Sequence, residues 1–332
     1  MKEKILVTGA SGFIGSFIVE EALNRGFEVW AAVRRSSSRQ FLSDERIHLI
    51  ELNLQSERDL QQQLAGHDFT YVVHAAGVTK CLDKRDFFRI NTEGTQHLVC
   101  ALQAMHIPLK RFVYISSLSI MGAIREQQPY TEIREDDTPQ PNTDYGLSKL
   151  QAEQWLQGQQ GFPYVVLRPT GVYGPRERDY FMMAKSIKAH TDFAVGYRRQ
   201  DITFIYVADV VQAVFLALEK GQTGRCYFLS DGEVYQSSTF SNLIRRELGN
   251  PWWIRITAPL WLLRIITFCG EYAGRLTGKV TALNNDKYNI MKQRNWRCDI
   301  EPARRELGFN PQVKLEEGVR RSIRWYLDNG WL

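Results

Sequence analysis

The chain has 332 residues and a net charge of +5, a length sufficient for one large domain or two closely packed domains with a substantial core. Hydrophobic residues make up 44% and charged residues 24% of the sequence, which excludes a disordered protein. The arginines are interspersed with acidic residues and form no basic block, so the composition does not indicate a nucleic-acid-binding protein.

The sequence also indicates the redox state of the cysteines and the targeting of the protein. The five cysteines lack close pairs and histidines at metal-ligand spacing, so we expect reduced thiols in a cytoplasmic protein without a bound metal. The first apolar strand begins within four residues of Met1, which leaves no room for a signal peptide. The apolar segment 258–269 contains Arg264 and is too short to span a bilayer, so we predict no transmembrane segment.

The first predicted strand runs into the sequence TGASGFIG at residues 8–15. Glycines at three-residue spacing follow a β-branched run, and apolar residues then recur at helical intervals, which predicts strand, tight turn and helix. Such a turn either packs on its own sheet or brings a helix N-terminus to the pyrophosphate of a dinucleotide. Its place in a predicted βαβ unit favours the dinucleotide. The predicted contacts are Gly9, Ser11, Gly12, Phe13, Ile14 and Gly15.

The second predicted strand, residues 27–33, ends before Arg34 and Arg35. In dinucleotide-binding folds this position meets the adenosine ribose, where an acidic residue selects NAD and a guanidinium group suits the 2′-phosphate of NADP. We therefore predict NADP as the cofactor, with Arg34 as a contact and NAD as the alternative. The other interpretation is that both arginines are solvated loop residues.

Two further strands are predicted, residues 47–52 and 71–77. Their carboxyl ends are expected at the edge of the sheet where the cofactor binds. The second ends in small residues, which leave room for a flat ligand against the backbone. The cofactor contacts predicted at these two strand ends are Asn53, Leu54, Ala75, Ala76 and Gly77. His74 is expected to be a hydrogen-bonded interior histidine and not a catalyst.

Candidate catalytic residues follow the predicted strand 111–115. Three serines stand at its carboxyl end: Ser116, Ser117 and Ser119. Tyr145 and Lys149 lie one turn apart on a predicted helix, and the ammonium group is expected to lower the pKa of the phenol toward neutral pH. Tyr145 is therefore a candidate general acid and base, with Ser117 as the preferred partner of a substrate carbonyl. An ordinary surface helix is the alternative.

Taken together, the motifs resemble the extended short-chain dehydrogenase/reductase family. They are, besides the glycine turn, VVHAAG at 72–77, NTEGT at 91–95, YISS at 114–117, YGLSK at 145–149, LRPTGVYGP at 167–175 and YVADV at 206–210. The resemblance implies an α/β fold, a Rossmann doubly wound parallel sheet of about seven strands with a smaller C-terminal substrate-binding lobe. It assigns residues 1–172 to the Rossmann domain, rejoined by segments near 201–230, and residues 173–332 mainly to the substrate lobe.

The resemblance also implies roles for individual residues. Ser117, Tyr145 and Lys149 match the catalytic positions, and Lys149 is expected to reach the nicotinamide ribose as well. The resemblance adds Pro169 and Val172 to the predicted cofactor contacts. Two departures concern the cofactor: Asn53 replaces an aspartate expected at the adenine, and Val33 followed by Arg34 replaces the acid of NAD-using epimerases, a pattern closer to dihydroflavonol reductases.

The fold does not choose the reaction. We predict NADP-linked oxidation or reduction of a secondary alcohol or ketone, similar to the hydroxysteroid dehydrogenase and dihydroflavonol reductase branch. One alternative is a sugar-nucleotide epimerase or dehydratase with retained NAD, which needs arginines in the substrate lobe. The candidates are Arg176, Arg178, Arg198 and Arg199. A second alternative is a dinucleotide-binding module without turnover.

An apolar substrate requires an apolar pocket, and three segments of the C-terminal half are candidates: 181–183, 252–253 and 260–268. The last is apolar nearly all round, so it is a core helix, a lid over the pocket, or a contact with a partner or membrane surface. The expected partners are a small-molecule substrate and a second copy of the chain. We expect a homodimer through helices near residues 96–104 and 150–156.

Overall fold

The computed structural model describes residues 2–277 and 284–332, and its largest element is a seven-stranded parallel sheet. The strands in these ranges are β1 (Lys4–Thr8), β2 (Glu28–Val33), β3 (His48–Glu51), β4 (Tyr71–His74), β5 (Arg111–Ile115), β6 (Tyr164–Pro169), β7 (Gly171–Tyr173), β8 (Thr191–Val195), β9 (Asp201–Ile202), β10 (Phe204–Tyr206), β11 (Cys226–Leu229), β12 (Tyr235–Gln236) and β13 (Ile254–Ala258). The sheet has the order β3-β2-β1-β4-β5-β6-β11. From β1 the chain adds β2 and β3 on one side, and it then crosses to the other side of β1 to add β4 and the later strands. This change of side confirms the doubly wound fold.

Helices connect the strands. They are α1 (Phe13–Asn24), α2 (Glu57–Gln63), α3 (Arg85–Phe87), α4 (Gly94–Ala104), α5 (Asp144–Gln157), α6 (Arg178–Lys188), α7 (Val207–Lys220), α8 (Ser237–Glu247), α9 (Leu260–Thr277), α10 (Asn285–Lys292), α11 (Glu301–Leu307) and α12 (Leu315–Asp328). A π-helical turn, Phe88–Glu93, joins α3 to α4, and a 3₁₀ turn, Leu118–Ile120, follows β5. The sequence pattern predicts one helix over residues 86–105, and the structure corrects this prediction with the π turn.

Both faces of the sheet are covered because its strands are apolar on both sides. Val7 belongs to a buried cluster with residues of α1 and α7 such as Val19 and Val214, whereas its neighbour Leu6 belongs to a cluster with α2, α4 and α5. Successive side chains of a strand point to opposite faces, and burial of both faces is typical of a parallel sheet. The carboxyl ends of all seven strands therefore lie at one edge, where a ligand site is expected.

The remaining strands lie outside this sheet. β7 pairs with β10, β12 with β9, and β13 with β8, and a third buried cluster around Tyr173 joins α6, α8 and α12. This part of the chain packs over the carboxyl edge of the main sheet beside β6 and contributes walls to a cavity there. The division of the chain at residue 172 stays a prediction. Within the described ranges, no helix has the length and apolar character needed to cross a membrane.

The glycine turn depends on the absence of a side chain at Gly15. A Cβ atom at this position would overlap the carbonyl oxygen of Gly9, because α1 packs directly on the turn. We expect Gly15→Ala to lower the free energy of unfolding by at least about 2 kcal/mol and to weaken dinucleotide binding. The matched control is Gly94→Ala in α4, whose nearest neighbour is a Leu54 carbon at an ordinary 3.4 Å. It should change stability by no more than about 1 kcal/mol. Equal denaturant unfolding curves for the two variants would contradict this account of the turn.

Candidate active site

A cavity of about 210 Å³ lies over the glycine turn at the carboxyl edge of the sheet. Nine of the predicted cofactor contacts line it: Gly9, Ser11, Gly12, Arg34, Asn53, Leu54, Ala75, Ala76 and Gly77. The structure adds Ser37 and Arg89, which sequence reasoning did not single out. For Ser37 a signal was present, because it stands in a serine-rich stretch beside Arg34, and its hydroxyl accepts a hydrogen bond from the Arg34 backbone N–H at 3.0 Å.

The cavity fits a dinucleotide phosphate. Gly9 has φ +68°, and a Cβ there would stand 2.6 Å from the Ala75 carbonyl oxygen. The two backbone segments thus approach more closely than a side chain would permit. α1 begins after Gly12, no side chain in the described structure caps it, and its first turn carries no acid. Its free N–H groups are therefore available to an anion such as a pyrophosphate.

Six predicted cofactor contacts lie outside the lining of this cavity: Phe13, Ile14, Gly15, Lys149, Pro169 and Val172. The Phe13 ring packs edge-on against Phe17 with 6.2 Å between centroids, and Ile14 and Val172 pack against the buried core. Gly15 is buried where α1 meets the turn. Pro169, by contrast, lines a second, larger cavity of about 460 Å³ beside the first.

Two of the three predicted catalytic residues, Ser117 and Tyr145, line this second cavity, whereas Lys149 is not among the described lining residues of either cavity. The Lys149 ammonium donates a hydrogen bond to the Ile115 carbonyl at the end of β5, with 2.8 Å between Nζ and oxygen. α5 is thereby fixed against that strand end. Tyr145 lies one turn earlier on α5 and Ser117 two residues after Ile115, and both line the second cavity.

The three candidate serines have different environments. Ser117 precedes the 3₁₀ turn, and its hydroxyl accepts the Ser119 backbone N–H at 3.1 Å. Both of these serines line the second cavity. Ser116 is buried elsewhere, and its hydroxyl oxygen has no hydrogen-bond partner in the described residues. The geometry therefore separates Ser116 from Ser117, although they are adjacent in sequence.

The expectation that Lys149 lowers the pKa of Tyr145 toward neutral pH is wrong. Burial raises the pKa of the phenol above its ordinary value, and the interaction with Ser117 opposes this rise. The Lys149 ammonium is directed at the Ile115 carbonyl and lies 4.7 Å above the ring of Tyr114. Burial lowers the pKa of Lys149 itself to about 8.

A buried ion pair supports the positive charge of Lys149. Glu153, one turn further along α5, has no exposed surface and accepts a hydrogen bond from Arg168 at 2.6 Å. Its negative charge acts against the lowering of the Lys149 pKa. Sequence reasoning did not identify Glu153, although an acid four residues after Lys149 on the same helix was a usable signal.

His74 is an interior histidine, as predicted. Its Nδ1 lies 2.6 Å from the Thr8 hydroxyl and its Nε2 lies 3.0 Å from the Thr95 hydroxyl. The Thr95 hydroxyl donates its own proton to the Asn91 carbonyl at 2.7 Å. The proton between His74 and Thr95 therefore belongs to Nε2, and Nδ1 accepts from Thr8. Burial, assisted by Lys149, lowers the pKa of His74 to about 3.

Asn91 is a site residue that sequence reasoning quoted within a motif without giving it a role. From the π-helical turn, its side chain accepts the Val78 N–H at 2.8 Å and donates to the Val78 carbonyl at 3.0 Å. It also donates to the Ser148 hydroxyl, which in turn donates to the Tyr145 carbonyl at 2.8 Å. Asn91 thus connects the loop after β4 to the helix that carries Tyr145.

The second cavity is largely apolar in its walls. Its apolar side chains include Met183, Phe193, Val195, Ile202, Phe204, Phe240, Ile290, Met291 and Trp296. Of the three segments predicted to form an apolar pocket, the structure places Met183 in the wall. Trp252 is 64% exposed and Met182 57% exposed, so these residues lie at the surface instead.

The segment 260–268 forms the first half of α9. The interpretation as a plain core helix is wrong, because Trp261 and Phe268 are 66% and 65% exposed. The lid interpretation is not supported either, since no described residue of α9 lines the second cavity. The wall on this side comes from α10.

The lysine and arginine side chains of the second cavity are paired with its carboxylates. Lys80 forms an ion pair with Asp179, and Lys287 lies 3.5 Å from the same carboxylate. Arg255 contacts Asp192 at 2.6 Å. Among the described lining residues, every lysine and arginine therefore has a carboxylate partner.

The arginines predicted for a sugar nucleotide lie elsewhere. Arg176, Arg178, Arg198 and Arg199 are absent from the described lining of both cavities. Arg176 pairs with Glu20 of α1 at 2.6 Å, and Arg199 pairs with Asp201 at 2.7 Å. Neither is a free cation in the second cavity.

Comparison with known proteins identifies a family and proteins of the same fold. The model of a family described as NAD dependent epimerase/dehydratase matches residues 5–230. A UDP-glucose 4-epimerase from Vibrio cholerae is 26% identical over 98% of this chain and 96% of its own. A 4-hydroxy-2-methyl-3-oxo-4-farnesyl-3,4-dihydroquinoline-1-oxide ketoreductase from Stigmatella aurantiaca is 27% identical over 95% of this chain and 94% of its own. The solved structure of a dTDP-glucose 4,6-dehydratase from Streptomyces venezuelae with NAD shares the fold with a TM-score of 0.81, at 21% identity over 99% of this chain and 98% of that one.

The lowered pKa of His74 predicts a pH dependence of stability. Between pH 6.5 and 3 the unfolded chain binds a proton that the folded chain excludes, so stability is lost as the pH falls below 6.5. From pH 7 to pH 5 we expect native protein to lose about 2 kcal/mol of unfolding free energy relative to His74→Gln, whose amide does not titrate. Denaturant unfolding of both proteins measures the difference. A difference independent of pH would show that His74 binds its proton as readily in the folded chain as in the unfolded chain.

Proposed function

The chain belongs to the NAD dependent epimerase/dehydratase family, and from this premise we propose that it transfers hydride between NADP and an apolar secondary alcohol or ketone. Family membership confirms the resemblance to extended short-chain dehydrogenases/reductases, and the chain is therefore an enzyme of that type. The alternative of a binding module without turnover is thereby set aside. The family includes both epimerases and reductases, so the choice of reaction rests on the site.

One observation carries the choice: the cavity beside Ser117 and Tyr145 has apolar walls and no unpaired cation among its described lining residues. A sugar nucleotide brings a pyrophosphate whose negative charge needs cationic partners. An apolar alcohol or ketone needs none, and it gains free energy from burial against side chains such as Phe204 and Trp296. The site therefore favours the apolar substrate.

The residues of the site suit proton transfer to a carbonyl oxygen. When bound, the nicotinamide supplies or accepts the hydride. In the reducing direction the Ser117 hydroxyl donates a hydrogen bond to the substrate oxygen, and the Tyr145 phenol gives that oxygen its proton. In the oxidising direction the phenolate takes the proton of the alcohol. The hydrogen bond with Ser117 favours the phenolate formed on Tyr145, because it opposes the rise of the Tyr145 pKa that burial causes.

The preference for NADP rests on the smaller cavity. Arg34 and Ser37 both line it after β2, where an acid selective for the ribose hydroxyl of NAD is absent from the sequence. A guanidinium group and a hydroxyl are suitable partners of a 2′-phosphate. Arg35 is exposed and does not line the cavity.

The named relatives include both reaction classes. The ketoreductase relative has a name that denotes a farnesylated substrate, which agrees with an apolar pocket in this chain. The epimerase relative is about equally similar, so sequence similarity does not decide between the two reactions. A homodimer through α4 and α5 and a cytoplasmic location remain predictions.

Two adjacent serines test the catalytic proposal. We expect Ser117→Ala to lower kcat about 100-fold or more, because it removes the hydrogen bond to the substrate oxygen, while NADPH binding persists. Ser116→Ala is the matched control and should retain kcat within about threefold. Tyr145→Phe should lose activity at least as strongly as Ser117→Ala. The assay follows NADPH absorbance with a panel of apolar ketones.

Equal losses in the two serine variants would indicate a general structural effect at the end of β5. Full activity of Tyr145→Phe would remove the proposed proton donor altogether.

Cofactor choice is tested at the two arginines. Arg34→Ala should weaken NADPH binding at least about tenfold, since it removes a charge-assisted contact worth roughly 1.4 kcal/mol or more, and should leave NADH binding nearly unchanged. Arg35→Ala, one residue further, should affect neither. Isothermal titration of the native protein and the two variants with both dinucleotides gives six dissociation constants. Native protein with equal affinity for NADPH and NADH would rule out a 2′-phosphate site at Arg34.

A further inference from the structure

α9 exposes an apolar face to solvent. Trp261, Ile265, Phe268 and Tyr272 are 66%, 53%, 65% and 61% exposed. Their spacing of four, three and four residues places them on one side of the helix. We call these four residues the apolar strip.

The strip reverses the usual pattern of a surface helix. The side of α9 that faces the protein carries Leu263, which is 4% exposed, and Thr267, which is fully buried. A surface helix ordinarily turns its largest apolar residues inward. In α9 the larger apolar side chains are outward, and contiguous exposed apolar surface of this kind marks an interaction site.

A second apolar surface precedes the strip in the chain. Ile254 and Ile256 of β13 are 61% and 47% exposed, and Phe193 of β8, 65% exposed, is the register partner of Ile256. Residues two apart on a strand share a face, and so do register partners. Three large apolar side chains therefore stand on one face of the β8/β13 pair, and one of them, Phe193, also lines the second cavity.

The segment that contains these surfaces is rich in arginine. From residue 245 to 277 the sequence has five arginines and two glutamates. Of these arginines, Arg246 pairs with Glu316 and Arg255 pairs with Asp192. Arg264 lies beside the strip, is exposed, and has no carboxylate partner in the described structure. Aromatic side chains together with arginine on an amphipathic helix are the chemistry that binds the interface of an anionic lipid bilayer.

The dimensions favour a bilayer over a second copy of the chain. The apolar strip runs from Trp261 to Tyr272, so it measures about 17 Å by 10 Å, or roughly 170 Å². A stable protein interface buries about 800 Å² on each partner. A narrow strip on a convex helix falls short of that area, whereas a helix in the plane of a membrane interface inserts one face of this kind.

The position of α9 also relates the strip to the second cavity. α10 packs against α9, and the Asn285 side chain donates a hydrogen bond to the Glu271 carboxylate at 2.5 Å. Ile290 and Met291 of the same α10 line the cavity. Among the described elements, only α9 and α10 therefore lie between a surface in contact with the strip and the second cavity.

We propose that the apolar strip of α9 docks the protein on an anionic phospholipid bilayer, with α9 lying in the plane of the interface. Trp261, Ile265, Phe268 and Tyr272 insert among the acyl chains, and Arg264 contacts the lipid phosphates. The proposal does not depend on the reaction catalysed. It places the wall of the second cavity beside a phase in which apolar molecules concentrate.

The test is co-sedimentation of the full chain with phosphatidylcholine vesicles that do or do not contain phosphatidylglycerol. We expect binding to the anionic vesicles, and Trp261→Glu and Phe268→Glu should each weaken it at least about tenfold. Arg264→Glu should weaken binding to anionic vesicles and leave binding to neutral vesicles unchanged. Brominated lipids should quench a part of the tryptophan fluorescence that is missing in Trp261→Phe.

Matched controls are Met182→Glu on α6 and Leu327→Glu on α12, which are 57% and 46% exposed on other surfaces and should bind vesicles like the native chain. Retained NADPH binding checks that each variant is folded. The proposal is overturned if the native chain stays in the supernatant, or if strip variants and controls bind alike. It is also overturned if native protein without lipid is a dimer that Trp261→Glu converts to a monomer, since a second copy then covers the strip.

Discussion

The candidate site depends on one buried hydrogen bond, from the Lys149 ammonium to the Ile115 carbonyl at 2.8 Å. This contact joins α5 to the carboxyl end of β5. It thereby sets Tyr145, one turn earlier on the helix, beside Ser117, two residues beyond the strand. Because Lys149 lies over the ring of Tyr114 and near Glu153, its charge is retained in an environment that otherwise disfavours it.

The surrounding structure makes room for that contact and holds it in place. A Cβ on Gly77 would stand 3.2 Å from the Lys149 ammonium. Because Gly77 has no side chain, the loop after β4 passes close to the lysine. Asn91 then fixes this loop to α5. From the other side, the carboxylate of Asp286 accepts the backbone N–H of Tyr145 at 3.3 Å. α10 therefore also holds the start of α5.

The fold and the position of the site followed from local sequence patterns. The glycine turn, the strand ends and the Tyr145–Lys149 spacing are each set by backbone geometry within a few residues, so they could be read directly. The residues that form the walls of the second cavity could not be predicted in this way. Phe193, Phe204 and Trp296 meet only through tertiary packing, and apolar composition alone pointed to Trp252 and Trp261, which are at the surface. The pKa of Tyr145 was likewise decided by burial, which helical spacing does not report.

The account predicts net redox chemistry in a cavity whose cations are already paired. The most direct measurement is the stoichiometry of NADPH consumed to product formed, followed by absorbance and product analysis for apolar ketones and for UDP-glucose. The account predicts one NADPH oxidised for each alcohol produced from an apolar ketone, and no conversion of UDP-glucose. Formation of an epimer from UDP-glucose without net loss of the reduced cofactor would contradict it.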